Sequence, residues 1–174
     1  MITLILGGAR SGKSDLALRL AQEISGRRAF VATAQASDAE MAERIEHHRR
    51  RRGPGWELFE ESLGLGRLLQ RIGPQFEVIV VDCLTLWMGN QLTSSGGDWS
   101  EEALREELRL ICDAGRPDGL HLILVSNEVG MGIVPDNPLA RAFRDLSGWS
   151  HQVLAEAADT VYFCVAGLSF KLKG

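Results

Sequence analysis

The sequence predicts an α/β protein with a mainly parallel central sheet and helices on both faces. Short segments that are apolar throughout, such as Val78-Ile79-Val80-Val81, alternate along the chain with longer segments of helical periodicity. Strands that are apolar at every position are typical of parallel sheets covered on both sides. The chain has 174 residues, which suits one domain, and we expect residues 1–174 to form a single domain.

Two strand–helix pairs are predicted at the start of the chain. Residues 2–6 are an apolar run that we assign to a strand, and residues 13–24 have the periodicity of a helix. A short strand follows at 29–32. Residues 38–50 are predicted to be helical because their apolar residues recur at helical spacing.

The middle and end of the chain continue the alternation. A strand-like piece at 56–59 precedes a helix at 63–72, a buried strand at 78–81 and a further helix from Leu84. Residues 101–114 predict an amphipathic helix, whose start is signalled by the polar residues just before it. The remaining predicted elements are strands at 120–125 and 160–165, a helix at 138–158, and an edge strand at 169–173.

The composition excludes several classes of protein. The net charge of −4 argues against a nucleic-acid-binding surface. No apolar run approaches the roughly 20 residues of a membrane span, and the N-terminus does not read as a signal peptide, so we expect a cytoplasmic protein. The cysteines Cys83, Cys112 and Cys164 lie far apart in apolar surroundings, which indicates reduced thiols in the core.

The segment after the first strand matches the G-x-x-x-x-G-K-[ST] pattern of phosphate-binding loops. It reads Gly7-Gly8-Ala9-Arg10-Ser11-Gly12-Lys13-Ser14. Glycines at the first and sixth positions let successive N–H groups face one anion, and the following helix adds its positive end. Lys13 is placed to reach the β- and γ-phosphates, and Ser14 to ligate Mg²⁺. We therefore assign all eight residues to nucleotide binding.

Two other interpretations of this loop are weaker. A plain glycine-rich turn would not explain the lysine: the chain has only 3 Lys against 16 Arg, so Lys13 indicates a chemical requirement. A dinucleotide-binding fingerprint would need glycine at the third position, where this chain has Ala9.

Asp82 is the candidate carboxylate for the magnesium shell, because it ends the buried strand 78–81. Alone, it could equally cap the helix that follows from Leu84. Because it accompanies a phosphate loop, we favour Asp82, together with Ser14, as a magnesium ligand. The same combination favours a P-loop NTPase-type three-layer fold. The guanine signature N-K-x-D is absent, which disfavours a switch GTPase and favours a small-molecule kinase or transferase.

A second unusual segment spans residues 40–52, where Arg44, His47 and Arg51 fall at helical positions i, i+3 and i+7. One interpretation is a solvated basic helix end that complements the helix dipole. The other is an anion-binding face, in which nearby cations keep an imidazole neutral, as a nucleophile requires. The residues alone leave both open. The apolar loop 126–135 is equally ambiguous: it could bound a bulky ligand, form a subunit contact or be an ordinary turn.

Taken together, these segments resemble the bifunctional adenosylcobinamide kinase / adenosylcobinamide-phosphate guanylyltransferase family of cobalamin biosynthesis, over nearly the whole chain. Besides the phosphate loop, the resemblance rests on Ala32-Thr33-Ala34, Glu40-Met41, Arg44-Ile45, His47, Val81-Asp82-Cys83-Leu84-Thr85-Leu86-Trp87 and Asn127-Glu128-Val129-Gly130-Met131-Gly132-Ile133-Val134-Pro135. The loop at 127–135 and the histidine-containing segment are more specific than the phosphate loop.

The resemblance implies two reactions in one fold. ATP or GTP phosphorylates a hydroxyl of adenosylcobinamide, and GMP from GTP is then transferred onto that phosphate through a histidine that matches His47. The same match implies catalysis by His47 and Lys13, a magnesium requirement and a homo-oligomer, with a trimer favoured. It also implies guanine-nucleotide contacts at Ala32, Thr33, Ala34, Arg50, Arg51, Arg52, Gly53, Glu61 and Asp82.

Two alternatives remain. A monofunctional P-loop small-molecule kinase would need only the phosphate loop and Asp82, and would leave His47 and the loop at 127–135 unexplained. A nucleotide-gated regulatory module would bind nucleotide without turnover in the presence of cobinamide.

Overall fold

A computed structural model describes residues 1–34, 53–94, 100–116 and 118–174 of the chain. Its centre is a seven-stranded sheet with the strand order β3-β2-β4-β5-β1-β6-β7. All neighbouring strands are parallel except β6 and β7, which are antiparallel. The strands are β1 Ile2–Gly7, β2 Arg28–Ala32, β3 Trp56–Glu60, β4 Val78–Asp82, β5 His121–Asn127, β6 Thr160–Val165 and β7 Leu168–Lys173. The mainly parallel sheet and its antiparallel edge strand confirm the predicted architecture.

Helices connect the strands, as the sequence predicts. They are α1 Lys13–Gln22, α2 Leu65–Ile72, α3 Leu84–Ser94, α4 Glu101–Ala114 and α5 Pro138–Ala157. The Ser100 hydroxyl accepts from the Ala103 N–H to begin α4, and Asn137 caps α5 in the same way with Pro138 at its first position. The predicted helix at 38–50 lies outside the described residues.

The core lies on both faces of the sheet because alternate residues of each strand point to opposite sides. In β1, Leu4 packs into the larger apolar cluster and Ile5 into the smaller one, and both are fully buried. Helix α1 covers the smaller cluster through residues such as Leu16. The opposite face is covered by α2, α3, α4 and α5, with Trp87 of α3 fully buried there. Cys83, Cys112 and Cys164 are buried free thiols, as expected.

Several element boundaries differ from the predictions by one or two residues, and two of the differences have identifiable reasons. Helix α2 begins at Leu65 rather than at 63, because the Leu63 carbonyl accepts from the side chains of Trp87 and Gln91 at 2.8 and 2.7 Å. The Gly64 carbonyl is the acceptor that begins the helix, from the Leu68 N–H at 3.0 Å. Strand β5 runs on to Asn127 instead of ending at 125, because its last residues pair with the end of β1. No helix in the described ranges is long and apolar enough to cross a bilayer.

The carboxyl ends of the parallel strands lie along one side of the sheet, which we call the ligand-binding edge. It is distinct from the outer strands β3 and β7. Gly7 lies beside Asn127, and Asp82 lies between Ala32 on one side and Val125 on the other. The phosphate loop, Asp82 and the loop after β5 therefore share this edge, which is where open α/β sheets bind ligands.

Helices α2 and α4 approach closely at a glycine. The Gly66 N–H donates to the Glu107 carboxylate at 2.8 Å, and a Cβ at Gly66 would lie 2.6 Å from the Cβ of Leu110. These contacts require the absence of a side chain at position 66.

Gly66→Ala is expected to lower the free energy of unfolding by about 1–3 kcal/mol, since the two helices must move apart. The matched control is Gly148→Ala in α5, where a Cβ meets nothing within 4 Å. That change should raise the free energy of unfolding by about 0.5–1 kcal/mol, because alanine favours helix over glycine. Urea unfolding followed by circular dichroism measures both, and a destabilisation shared equally by the two variants would contradict the packing argument.

Candidate active site

The phosphate loop between β1 and α1 is shaped by two glycines in tight surroundings. Gly7 has φ +150°, and a Cβ there would collide with the carbonyl oxygen of Cys164. Gly12 has φ +96°, and a Cβ there would lie 3.2 Å from the Cα of Gly167. The Gly167 N–H also donates to the Ser11 carbonyl at 3.0 Å. The turn between β6 and β7 thus packs directly on the loop and helps to fix its shape.

Lys13 folds back over this loop. Its ammonium donates to the Gly8 carbonyl at 2.6 Å and to the Ser11 hydroxyl at 3.3 Å, and its side chain is largely buried. Burial lowers the pKa of Lys13, and the nearby Asp82 carboxylate opposes that shift. A phosphate at the loop would give the ammonium an anionic partner in place of neutral oxygens, which is a stronger interaction.

Ser14 and Asp82 meet across the site. The Ser14 hydroxyl donates to the Asp82 carboxylate at 2.7 Å, although the two residues come from α1 and β4. A hydroxyl and a carboxylate oxygen, placed beside a phosphate loop, are the hard oxygen ligands that Mg²⁺ prefers. The residues present therefore fit a magnesium ion.

Three other predicted nucleotide contacts, Ala32, Thr33 and Glu61, lie along the same edge of the sheet. Thr33 is fully buried, and its hydroxyl donates to the Cys83 carbonyl at 2.6 Å and accepts from the Cys83 N–H at 2.9 Å. The Glu61 N–H donates to the Ala32 carbonyl at 3.0 Å. The structure thus brings the 32–34 segment and Glu61 to the edge that holds Asp82. The Thr33 hydroxyl is hydrogen-bonded to the backbone of Cys83.

The remaining predicted site residues fall into two groups. Ala9 and Arg10 are exposed in the phosphate loop, where Arg10 has φ +55°, and Gly53 has φ +71° with open space around it. His47, Arg50, Arg51 and Arg52 lie outside the described residues, so their assignment stays a prediction.

A buried polar array that the sequence patterns do not predict adjoins this edge. The hydroxyls of Thr85 and Ser126 are 3.1 Å apart, and Ser126 Oγ lies 2.7 Å from His151 Nε2. On its other side, His151 Nδ1 faces a carboxylate oxygen of Glu128 at 3.6 Å. Burial lowers the pKa of His151, while Glu128 opposes that shift. The only sequence signal is that His151, a polar residue, falls on the inner side of a long amphipathic helix.

Solved structures support the fold. The RadB recombinase superposes with a TM-score of 0.52 at 18% identity, over 93% of this chain and 73% of that one. A type III secretion system ATPase gives a TM-score of 0.62 at 10% identity, over 98% of this chain and 57% of that one. These likenesses, together with the loop geometry, confirm the P-loop NTPase-type α/β fold.

Two curated relatives match along the full length of the chain. The bifunctional adenosylcobalamin biosynthesis protein CobP of Pseudomonas aeruginosa is 47% identical over 177 residues, covering 100% of this chain and 98% of the relative. The bifunctional adenosylcobalamin biosynthesis protein CobU of Escherichia coli is 41% identical over 183 residues, covering 99% of this chain and 100% of the relative. The family model described as cobinamide kinase / cobinamide phosphate guanyltransferase matches residues 3–172. The resemblance found in the sequence is thereby confirmed, and the chain belongs to this family of enzymes.

Proposed function

We propose that the protein catalyses two successive transfers. It phosphorylates the hydroxyl of adenosylcobinamide with ATP or GTP, and it then transfers GMP from GTP onto that phosphate, giving adenosylcobinamide-GDP and pyrophosphate. The observation that carries the proposal is the Ser14–Asp82 contact of 2.7 Å beside the folded-back Lys13, which supports a polyphosphate site in a chain of this family. The curated relatives carry the word bifunctional in their names, which supports two activities.

The triphosphate is held by the backbone N–H groups of residues 7–14, by the Lys13 ammonium and by the amino end of α1. Ser14 and Asp82 hold Mg²⁺, which when bound offsets the negative charge of the polyphosphate. The contribution of the chain is to fix the phosphorus in line with its acceptor, and Lys13 stabilises the charge that develops as the bond breaks.

In the second reaction, His47 is the nucleophile. One imidazole nitrogen forms a bond to the α-phosphorus of GTP while the bond to the bridging oxygen breaks, and pyrophosphate leaves with the electron pair. The phosphate of adenosylcobinamide phosphate then attacks the same phosphorus and releases the histidine. We assign the GTP contacts to the implied residues at 32–34, 50–53 and 61 and to Asp82. The support for these roles is the family to which the chain belongs.

We further propose that residues 1–174 form one domain that assembles as a homotrimer in the cytoplasm. Family membership supports an assembly, and so does the exposed apolar surface of the edge strand β7. That surface consists of Leu168, Phe170 and Leu172, which are 54–65% exposed.

Lys13→Ala is expected to reduce both reactions by about 100-fold or more, because each uses a triphosphate at the same loop. The rates of γ-phosphate transfer to adenosylcobinamide and of GMP transfer to adenosylcobinamide phosphate measure this. Arg116→Ala is the control: it removes an exposed cation near the start of β5, at the opposite edge of the sheet, and should leave both rates unchanged. Normal GMP transfer by Lys13→Ala would contradict a shared phosphate site.

Asp82→Asn is expected to raise the Mg²⁺ concentration for half-maximal kinase rate by about 10-fold or more, because the carboxylate loses its charge. A magnesium titration of the initial rate measures the shift. Asp118→Asn, which changes an exposed carboxylate before β5, is the matched control. An unchanged titration curve for Asp82→Asn would remove Asp82 from the magnesium shell.

The histidine step is tested with GTP labelled at the α-phosphate and, separately, at the γ-phosphate. The wild type should give an acid-labile, alkali-stable protein band from the α label alone, and His47→Ala should abolish it while some kinase activity remains. His48→Ala is the matched control and should keep the band. If no band forms despite GTP binding, the monofunctional kinase becomes the better interpretation.

A further inference from the structure

Glu128 is the carboxylate that the proposed mechanism leaves unused at the ligand-binding edge. It follows β5, which lies between the phosphate-loop strand β1 and the Asp82 strand β4. Its N–H donates to the Gly7 carbonyl at 3.0 Å, one residue from the Gly8 carbonyl that holds the Lys13 ammonium. The Glu128 side chain is 21% exposed, so it is open to a ligand. These contacts place Glu128 beside the start of the phosphate loop, with its carboxylate partly exposed at the ligand-binding edge.

One oxygen of the Glu128 carboxylate is held by a hydrogen bond, and the other faces an imidazole nitrogen beyond hydrogen-bond distance. One oxygen accepts from the Gly130 N–H at 2.6 Å, and the other faces His151 Nδ1 at 3.6 Å. The His151 side chain is 6% exposed, and its Nδ1 is a buried atom with no hydrogen-bond partner at normal distance. A buried polar atom without a partner is costly, and this one is aimed at a partly exposed carboxylate.

The array behind His151 sets the position of its proton. If Nε2 carried the hydrogen, a bare Nδ1 lone pair would face the Glu128 carboxylate, which is repulsive. The Nδ1–H tautomer removes that repulsion, and Nε2 then accepts from the Ser126 hydroxyl at 2.7 Å. Ser126 can in turn accept from Thr85, whose oxygen accepts from the Asn127 N–H at 2.6 Å. Every hydroxyl proton of the array then points toward His151, and the imidazole N–H points at Glu128.

We propose that Glu128 accepts the proton of the hydroxyl that is phosphorylated, and that His151 is the residue that positions it. The proposal rests on the proposed function. As the hydroxyl oxygen bonds to the γ-phosphorus, the bond from phosphorus to the β,γ-bridging oxygen breaks, and the nucleoside diphosphate leaves with the electron pair. The hydroxyl proton passes to Glu128 and then to solvent through its exposed side.

The second reaction gives an internal control. Its attacking group is a phosphate oxyanion, which has no hydroxyl proton to lose, so it does not need this base. Glu128 should therefore matter for phosphorylation and not for GMP transfer, although both reactions use the same phosphate loop.

The test is Glu128→Gln, which keeps the shape of the side chain, in two assays on one preparation. We expect the kcat of γ-phosphate transfer from ATP to adenosylcobinamide to fall by about 100-fold or more, with little change in the KM for ATP. The rate of GMP transfer from GTP to adenosylcobinamide phosphate should stay within about twofold of the wild type. The control is Glu102→Gln, which changes an exposed carboxylate on α4 and should leave both activities within the same range.

The positioning role of His151 is tested by replacing it with Asn or with Gln, whose side-chain amides lie at different distances from the backbone. His151→Asn can place an N–H near the Nδ1 position, facing Glu128, whereas His151→Gln places its amide near the Nε2 position, facing Ser126. We expect His151→Asn to retain most of the kinase kcat and His151→Gln to lose about 10-fold or more, with GMP transfer preserved in both. A merely structural role would lower both activities of each variant together.

Several results would overturn the proposal. Normal phosphorylation by Glu128→Gln would exclude Glu128 as the proton acceptor. An equal loss of both activities would show that Glu128 maintains the structure of the site and does not take the proton. If the wild type transfers no phosphate to adenosylcobinamide, the proposed function fails as well, so the two failures are distinguishable.

Discussion

The parallel pairing of β1 with β5 and β6 is the constraint on which the site depends. Because β1 is buried on both faces, a slip of one residue would exchange the sides of Leu4 and Ile5 and disrupt both apolar clusters. The core therefore fixes the register, and the register places Gly7 beside Asn127. The position of the phosphate loop relative to the strand ends that carry Asp82 and Glu128 is thus determined by apolar packing far from any ligand.

The polar groups at this edge follow one pattern, in which each is held by another group of the protein. Lys13 is held by the Gly8 carbonyl, Ser14 by Asp82, and Glu128 by the Gly130 N–H. The second oxygen of Glu128 faces His151. Such contacts orient the side chains before a ligand arrives, so that little rearrangement is needed when charge develops in the reaction.

The sequence was most informative where function depends on local pattern. The phosphate loop and the strand-terminal Asp82 could be predicted because spacing along the chain defines them, and the order of strands and helices followed from periodicity. The buried contact between His151 and Ser126 could not, because it depends on how α5 lies against the sheet, 25 residues away in sequence. The start of α2 was misplaced because two side chains of α3, Trp87 and Gln91, occupy the Leu63 carbonyl that would have accepted a further helical hydrogen bond. The role of His47 remains a prediction based on family resemblance.

The contact between the β6–β7 turn and the phosphate loop has a consequence for biosynthesis. The loop at residues 7–14 leaves the ribosome before its packing partners, Cys164 and Gly167, are synthesised. The strands that flank β1 are also synthesised late, since they begin at His121 and Thr160. A nascent chain therefore carries its nucleotide-binding motif without the contacts that shape it until β6 and the β6–β7 turn have been synthesised. Acquisition of nucleotide affinity should accordingly follow the synthesis of these residues.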